Sequence, residues 1–315
     1  MMVWAFAGLG LVILLLAGDA LVKGAVNLSL RVGIPALIVS LTIVAFGTSA
    51  PELLISINAV LMNKPGLALG NVIGSNTANV LLVLGLPAIL SVIHSSQCDT
   101  RKTYVYMLIA SVLFIGLAFV GIFTFWSGLI LLAALALVMF ILARDARNHR
   151  RAERACPAEG IEGADPNMPW WQIAVFLVLG LVGLPLGADL LVDNASIIAR
   201  DYGVSDAVIG LTLVALGTSL PELATTIMAA LRKQADVALG NVIGSNMFNL
   251  LGIIGVASLI RPIPVDVEFL RFDLRVMLAA SLALIPFVFL KVDIGRVIGV
   301  ILTVVYLAYV TIILI

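Results

Sequence analysis

Charge is scarce in this sequence. Asp, Glu, Lys and Arg make up 11% of the 315 residues, where a soluble domain carries about 25%. That excludes an ordinary soluble enzyme and a highly charged disordered chain. The charge present is balanced, 18 Lys and Arg against 18 Asp and Glu, so no basic field gathers phosphate and no nucleic-acid partner is expected. Cysteine is nearly absent. Cys98 and Cys156 both fall in expected loops and make no disulfide framework. The only histidines, His94 and His149, lie at span ends or in loops. An intramembrane hydrolase would need a deep nucleophile with a base or an aspartate pair, and neither is present. No enzyme and no cofactor is expected.

What fills the space is apolar. Hydrophobic types reach 62% and the mean hydropathy is +1.18, which marks an integral membrane protein whose first partner is the lipid bilayer. A β-barrel would alternate apolar and polar residues over segments of about ten. The run from Gly128 to Ala143 is apolar throughout, so the spans are helical. The first residues lack the positive n-region of a signal peptide and read as a retained first span.

A span of about 20 apolar residues predicts about ten helices, near 2–30, 35–62, 67–93, 102–122, 125–144, 169–200, 204–231, 237–260, 270–290 and 294–314. The first and sixth are long and are expected to tilt or extend past the bilayer. The one long polar stretch, Arg144 to Pro169, divides the chain into a first repeat (1–144), a linker (145–168) and a second repeat (169–315). The linker is too short for a folded regulatory domain. Arg144, Arg147, Arg150, Arg151 and Arg154 place it in the cytoplasm by the positive-inside rule, with the N-terminus outside a plasma or cell inner membrane. Arg31, Arg101, Lys102, Arg232, Lys233, Lys291 and Arg296 then fall inside as well. Lys64, Arg200, Arg261, Arg271 and Arg275 fall outside; the bias holds, with the loop from Arg261 to Arg275 as its blemish.

The halves are copies. Residues 41–85 and 211–255 align without a gap and more than half of their positions match. Asp19 and Asp189 keep the same offset, so the repeat begins earlier. Five spans per half invert the second copy relative to the first, and inverted repeats with an ion site at their midplane interface are a transporter signature. The expected fold is an all-α polytopic membrane protein of two inverted five-helix repeats.

Two acids lie deep in apolar spans, Glu52 and Glu222, at equivalent places. A charge at the bilayer centre costs about 3 kcal/mol or more, and no Lys, Arg or His is available nearby to pair with them. A bound cation is the simplest compensation; two protonated glutamates in a polar core are the bland alternative. In GTSAPE, Thr48 and Glu52 are one turn apart with Ser49 beside them. Pro51 clashes with the carbonyl of Gly47, and Gly47 lets the helix bend. The break is expected to free carbonyls from Ala45 to Thr48, and irregular backbone at this depth must line a cavity. Gly217, Thr218, Ser219, Pro221 and Glu222 repeat the device. Carboxylate, hydroxyl and carbonyl oxygens suit hard cations, and no thiol or imidazole is present for zinc or copper.

The second repeated block is GNVIGSNTAN at 70–79 and GNVIGSNMFN at 240–249. Gly70 with Gly74 and Gly240 with Gly244 read as close helix packing. Ser75 and Asn79 share a face, as do Ser245 and Asn249, and can add neutral oxygens or hydrogen-bond the glutamates. Asn71, Asn76, Asn241 and Asn246 read either as ligands or as helix-to-helix hydrogen bonds. Bidentate Glu52 and Glu222 with carbonyls near Thr48 and Thr218 approach the 6–8 oxygens of a Ca2+ shell. The same oxygens could hold two or three Na+ instead, and competition for shared carboxylates is a physical basis for exchange. Three Na+ against one Ca2+ would move one net charge and couple to voltage.

On these two motifs the chain resembles the cation/calcium exchanger superfamily, specifically its sodium/calcium exchanger-like prokaryotic members, over nearly its whole length. The resemblance implies ten helices around clustered ion sites, with long first and sixth helices that slide to give alternating access. It implies transported Ca2+ and Na+, with Ca2+ ligation by Glu52, Glu222, Thr48 and Thr218. Na+ ligation would fall to Ala45, Ser49, Ser75, Ala215, Ser219 and Ser245, with Asn79 as a central polar partner. Some relatives, potassium-dependent ones among them, carry aspartate at the position of Asn249; this chain has two central carboxylates rather than three. A Ca2+/H+ antiporter is the competing reading, with protons replacing Na+ on the glutamates. Proton-coupled relatives usually carry a glutamate after GN in the second motif, where this chain has Val72 and Val242.

Overall fold

The computed structural model describes residues 2–152, 165, 167–203 and 215–314. The elements are α1 (Met2–Val32), α2 (Ala36–Thr48), α3 (Ala50–Leu61), α4 (Pro65–Leu90), α5 (Arg101–Ala118), α6 (Phe125–Ala152), α7 (Trp170–Asp201), α8 (Leu220–Leu231), α9 (Ala235–Ile260), α10 (Phe269–Phe289) and α11 (Arg296–Leu314). Among the described residues, 8 helices are long and apolar enough to cross a membrane, and the pair α2–α3 makes a ninth span. α8 is shorter. The first part of its expected span, 204–214, lies outside the described residues. The protein is a mostly helical, polytopic membrane protein.

The bend expected at Gly47 and Pro51 is present: α2 and α3 meet at 43°. One expectation changes in detail: α6 does not stop near Arg144 but continues through Ala152, so the first part of the expected linker is helix. Cys98 is a free, buried thiol, pushed above its ordinary pKa by burial and by neighbouring Asp236. Cys156 lies outside the described residues.

Burial sorts the helices into layers. In their apolar windows α4 is 78% buried and α9 72%, against 22% for α6, α7 and α11. α4 and α9 therefore form the centre, and the others present apolar faces such as Leu137, Phe140, Val178 and Val304 outward, as lipid contact requires. α1 and α7 cross antiparallel along a seam of small residues. A Cβ at Gly10 would stand 2.6 Å from Leu191 N, one at Gly187 2.8 Å from Leu14 N, and one at Gly180 2.5 Å from the Leu21 Cβ. Such glycines let backbones approach where no hydrophobic force distinguishes helix from lipid.

The repeat is visible in the backbone. The residue at the motif break has φ −83°, ψ 4° at Ser49 and φ −89°, ψ 3° at Ser219. α3 ends on Asn63 at φ 61° and α8 on Lys233 at φ 55°. Both ends close as Schellman motifs, Lys64 N to Ala59 O and Gln234 N to Ala229 O, each 2.8 Å. π-type turns follow the asparagines, with Val83 N bonding Ala78 O at 2.9 Å and a π segment at Phe248–Ile253.

Two small clasps tie the halves together on opposite faces. On one, Ile122–Phe123 pairs with Ile263–Pro264. On the other, Ile93 bridges Ile294, and His94 Nδ1 lies 2.9 Å from Asp293 Oδ2. Burial opposes the charge of Asp293, but hydrogen bonds from Ser96 and His94 outweigh it and hold its carboxyl below the ordinary range.

Candidate ion-binding site

The site forms where the α2–α3 break and its counterpart before α8 meet α4 and α9. Proline has no N–H, so Pro51 leaves the Gly47 carbonyl without its usual helical partner. The chain turns at Ser49 and restarts as α3, with Leu53 N bonding Ser49 O at 3.2 Å. The new first turn carries Glu52, and the matching turn of α8 carries Glu222. Both side chains are 0% exposed, and the two carboxyls are electrostatic neighbours. The structure thus brings together the acids that the sequence placed in separate halves.

The predicted hydroxyls and amides are interior as well. Thr48, Ser49, Ser75, Asn79, Thr218, Ser219, Ser245 and Asn249 are all buried. Ser49 Oγ donates to Glu222 Oε1 at 3.1 Å, and Ser245 Oγ approaches the same oxygen at 3.5 Å. Glu52 receives nothing comparable: neither of its oxygens has a hydrogen-bond partner. Ala45 is fully buried. Its carbonyl is not freed by the break, contrary to expectation, because it accepts Ser49 N–H at 3.0 Å. Ala215 opens the short helix Ala215–Gly217.

The decisive feature is where polar atoms are left unpaired. Among the described residues, the buried side-chain atoms without a partner are Glu52 Oε1 and Oε2, Glu222 Oε2, Ser219 Oγ, Asn76 Oδ1, Asn79 Oδ1, and Asn249 Oδ1 and Nδ2. All belong to the two repeated motifs, and all but one are oxygens. A buried unsatisfied polar group costs about 1–3 kcal/mol, so native interiors hold few of them and rarely cluster them. Such a concentration of unpaired oxygens in the two repeated motifs has the donor chemistry that suits a hard cation. No group of three or more His, Cys, Asp or Glu able to hold a metal occurs among the described residues. The unpaired oxygens come from two carboxylates, one hydroxyl and three amides.

Several partners escaped the sequence reading. The expected packing of the second-block glycines holds for Gly244, where a Cβ would stand 2.6 Å from both Leu41 O and the Ala45 Cβ, and for Gly240. Among the described residues a Cβ on Gly70 would meet only Phe269, at 3.8 Å, and one on Gly74 nothing within 4 Å. The motif glycines have a second purpose besides bending: a Cβ on Gly47 would overlap a Leu181 methyl at 2.0 Å and one on Gly217 would meet Val192 at 2.5 Å. Both neighbours are on α7, which lies across the two breaks. Asn71 and Asn241 are helix-to-helix struts, with Nδ2 reaching Glu52 O and Glu222 O respectively, each at 3.2 Å. Asn76 and Asn246 exchange amide-to-carbonyl bonds of 3.2 and 3.4 Å across the halves. Asp19 does more than mark the repeat: it receives both Arg232 Nε and, at 2.8 Å, Arg232 Nη2. The signal for that pair was its asymmetry, since the residue equivalent to Arg232 in the first half is Met62.

The two faces differ. A cavity of about 520 Å³ lies between α7 and the start of α3, lined in part by Pro51, Ile55, Asp189, Asp193, Gly217 and Thr218. Its lining reaches Thr218. At the equivalent place in the other half α1 sits hard on α8, where a Cβ at Gly18 would stand 3.0 Å from Ala224 O, and the Asp19–Arg232 pair closes over it.

Residues 2–144 and 172–315 match the sodium/calcium exchanger protein family. The sodium/calcium exchanger MaX1 of Methanosarcina acetivorans is 33% identical over 338 aligned positions, covering 96% of this chain and 95% of that protein. The inner membrane protein YrbG of Escherichia coli K12 is 34% identical, covering 87% of this chain and 84% of that protein. A structure of the sodium-calcium exchanger NCX_Mj soaked with Na+ and Sr2+ superposes with a TM-score of 0.82 at 32% identity, covering 99% of this chain and 98% of that one.

Proposed function

The chain belongs to the sodium/calcium exchanger protein family, and from that premise we propose that it is a secondary antiporter that moves Ca2+ against Na+ by alternating access. Members of this family are transporters, not enzymes. The observation that carries the reading is the cluster of unpaired buried oxygens centred on Glu52 and Glu222. Ca2+ takes both carboxylates and the carbonyls of Thr48 and Thr218. Na+ takes the separated oxygens of Ser49, Ser75, Ser219 and Ser245 with the carbonyls of Ala215 and of Ala45, whose oxygen has a second lone pair besides the one that accepts Ser49 N–H. Asn79 and Asn249 fill the centre between them. Because the ion sets share the glutamates, one set leaves as the other arrives.

The unequal faces support one conformational reading. The cavity beside Asp189 opens the site to one side, and the α1–α8 contact with Asp19–Arg232 shuts the other. With the arginine-rich end of α6 in the cytoplasm of a plasma or cell inner membrane, the open side is external and the state is outward-facing. The chain then divides as 1–144, 145–168 and 169–315. A surface-type ion pair contributes about 1 kcal/mol or less. Arg232→Met, which copies Met62, is therefore expected to move the inward/outward balance by no more than about fivefold. Thiol accessibility of a cysteine placed at Ile55 reads that shift as slower labelling.

Flux in sealed vesicles tests the reading. Ca2+ uptake is expected to require an opposing Na+ gradient and to move net charge. Uptake driven equally well by a pH gradient in Na+-free buffer would overturn Na+ coupling in favour of protons.

A further inference from the structure

Asn71 and Asn241 make the same set of bonds in opposite halves. Asn71 Nδ2 donates to Glu52 O at 3.2 Å and to Ser56 Oγ at 3.0 Å. Asn241 Nδ2 donates to Glu222 O at 3.2 Å and to Thr226 Oγ1 at 3.1 Å. Each Oδ1 then faces the other repeat. Thr218 Oγ1 lies 3.5 Å from Asn71 Oδ1, and Thr48 Oγ1 lies 3.3 Å from Asn241 Oδ1. Ser56 and Thr226 are themselves equivalent, and the pattern keeps a hydroxyl at both. Neither asparagine appears among the buried groups left unpaired, unlike Asn76, Asn79 and Asn249; the nitrogen and the oxygen of each amide have partners in the protein.

Each asparagine therefore joins a glutamate of one half to the threonine of the other: Glu52 with Thr218, Glu222 with Thr48. These are the residues whose carboxylates and carbonyls face the divalent ion in the reading above, on which this inference rests. The distance across the cage between halves is set where those two bridges hold. We propose that Asn71 and Asn241 are specificity-determining positioning residues, which touch no ion but fix the size of the cage and so favour Ca2+ over larger divalent ions. Selectivity among oxygen-bound cations depends on cavity size and ligand flexibility. A cage without its bridges can expand to accept Ba2+ while it loses the fit for Ca2+.

Titration calorimetry on the purified full chain in detergent, with Ca2+ and Ba2+ as separate probes, tests this. Partners behind a metal site typically change affinity 10–100-fold when mutated, so Asn71→Ala or Asn241→Ala is expected to lower Ca2+ affinity about tenfold. Ba2+ affinity should fall less, so the Ca2+/Ba2+ preference shrinks. General loosening of the fold would weaken both ions equally and leave the ratio unchanged; an unchanged ratio overturns the proposal. Ser56→Ala and Thr226→Ala remove one anchor each while keeping the asparagine, and cover the case in which the alanine variants do not fold. They should shift the ratio in the same direction by less, and no shift in them overturns the proposal equally. Wild-type protein that binds Ca2+ but does not prefer it over Ba2+ defeats the inference alone. Wild-type protein that binds no Ca2+ defeats the exchanger reading with it.

Discussion

Glu52→Gln and Glu222→Gln are each expected to abolish Ca2+ exchange in vesicles while leaving a folded protein. Both side chains are 0% exposed, and no protein cation balances them in the site described. Removing one member of a buried charge arrangement costs about 3–5 kcal/mol, about two to four decades of Ca2+ affinity. Glutamine keeps the shape of the side chain and takes away an ion that is expensive to bury, so the melting temperature in ion-free buffer should hold or rise. The two sites should fail alike although their surroundings differ. Glu222 already has hydroxyl partners and Glu52 has none, but a divalent ion needs both charges. Normal flux in both variants would remove the acids from the mechanism.

The second large effect is steric. Gly244→Val is expected to destroy the site through packing, without touching a ligand. Its first added carbon would stand 2.6 Å from the Leu41 carbonyl oxygen and 2.9 Å from Leu41 Cα, and backbone cannot swing aside as a side-chain end can. Overpacking of a close-packed interior costs about 1–3 kcal/mol, occasionally more. Here the strain falls on the π turn of α2 that leads into Thr48 and Ser49. A melting temperature lowered by several degrees with Ca2+ binding lost is the predicted result. Gly116→Ala is the control. Nothing lies within 4 Å of a Cβ there, and replacing an exposed helical glycine with alanine is expected to stabilise by about 0.5–1 kcal/mol. Equal behaviour of the two variants would refute the packing argument.

Much of this arrangement can be read from the sequence because the membrane simplifies the physics. Backbone polar groups in lipid must bond within the segment, so apolar runs read directly as helices, and a deep acid such as Glu52 is conspicuous at once. The repeat multiplied that signal, since Glu222 recurs with the same neighbours. The relations between distant segments were less legible. No pattern in the chain shows that Leu181 of α7 fills the space beside Gly47, or that Arg232 reaches Asp19, because these depend on how helices cross. The asparagines were ambiguous for a related reason. An amide serves equally as ligand or strut, and only the positions of Glu52 O and Ser56 Oγ decide for Asn71. The Ala45 carbonyl stays paired because proline deletes a single donor, and the bond it removes is that of Gly47. Helix ends also drifted where polarity rises gradually: α6 runs to Ala152 because Arg and Ala are good helix formers even beyond lipid.

The account depends on Ca2+ and Na+ occupying the same buried carboxylates by turns. Ca2+ binding to the purified protein in detergent, titrated at a series of Na+ concentrations, measures that directly. The predicted result is an apparent Ca2+ dissociation constant that climbs with Na+ more steeply than in direct proportion, because more than one Na+ displaces each Ca2+. A dissociation constant indifferent to Na+ would contradict it.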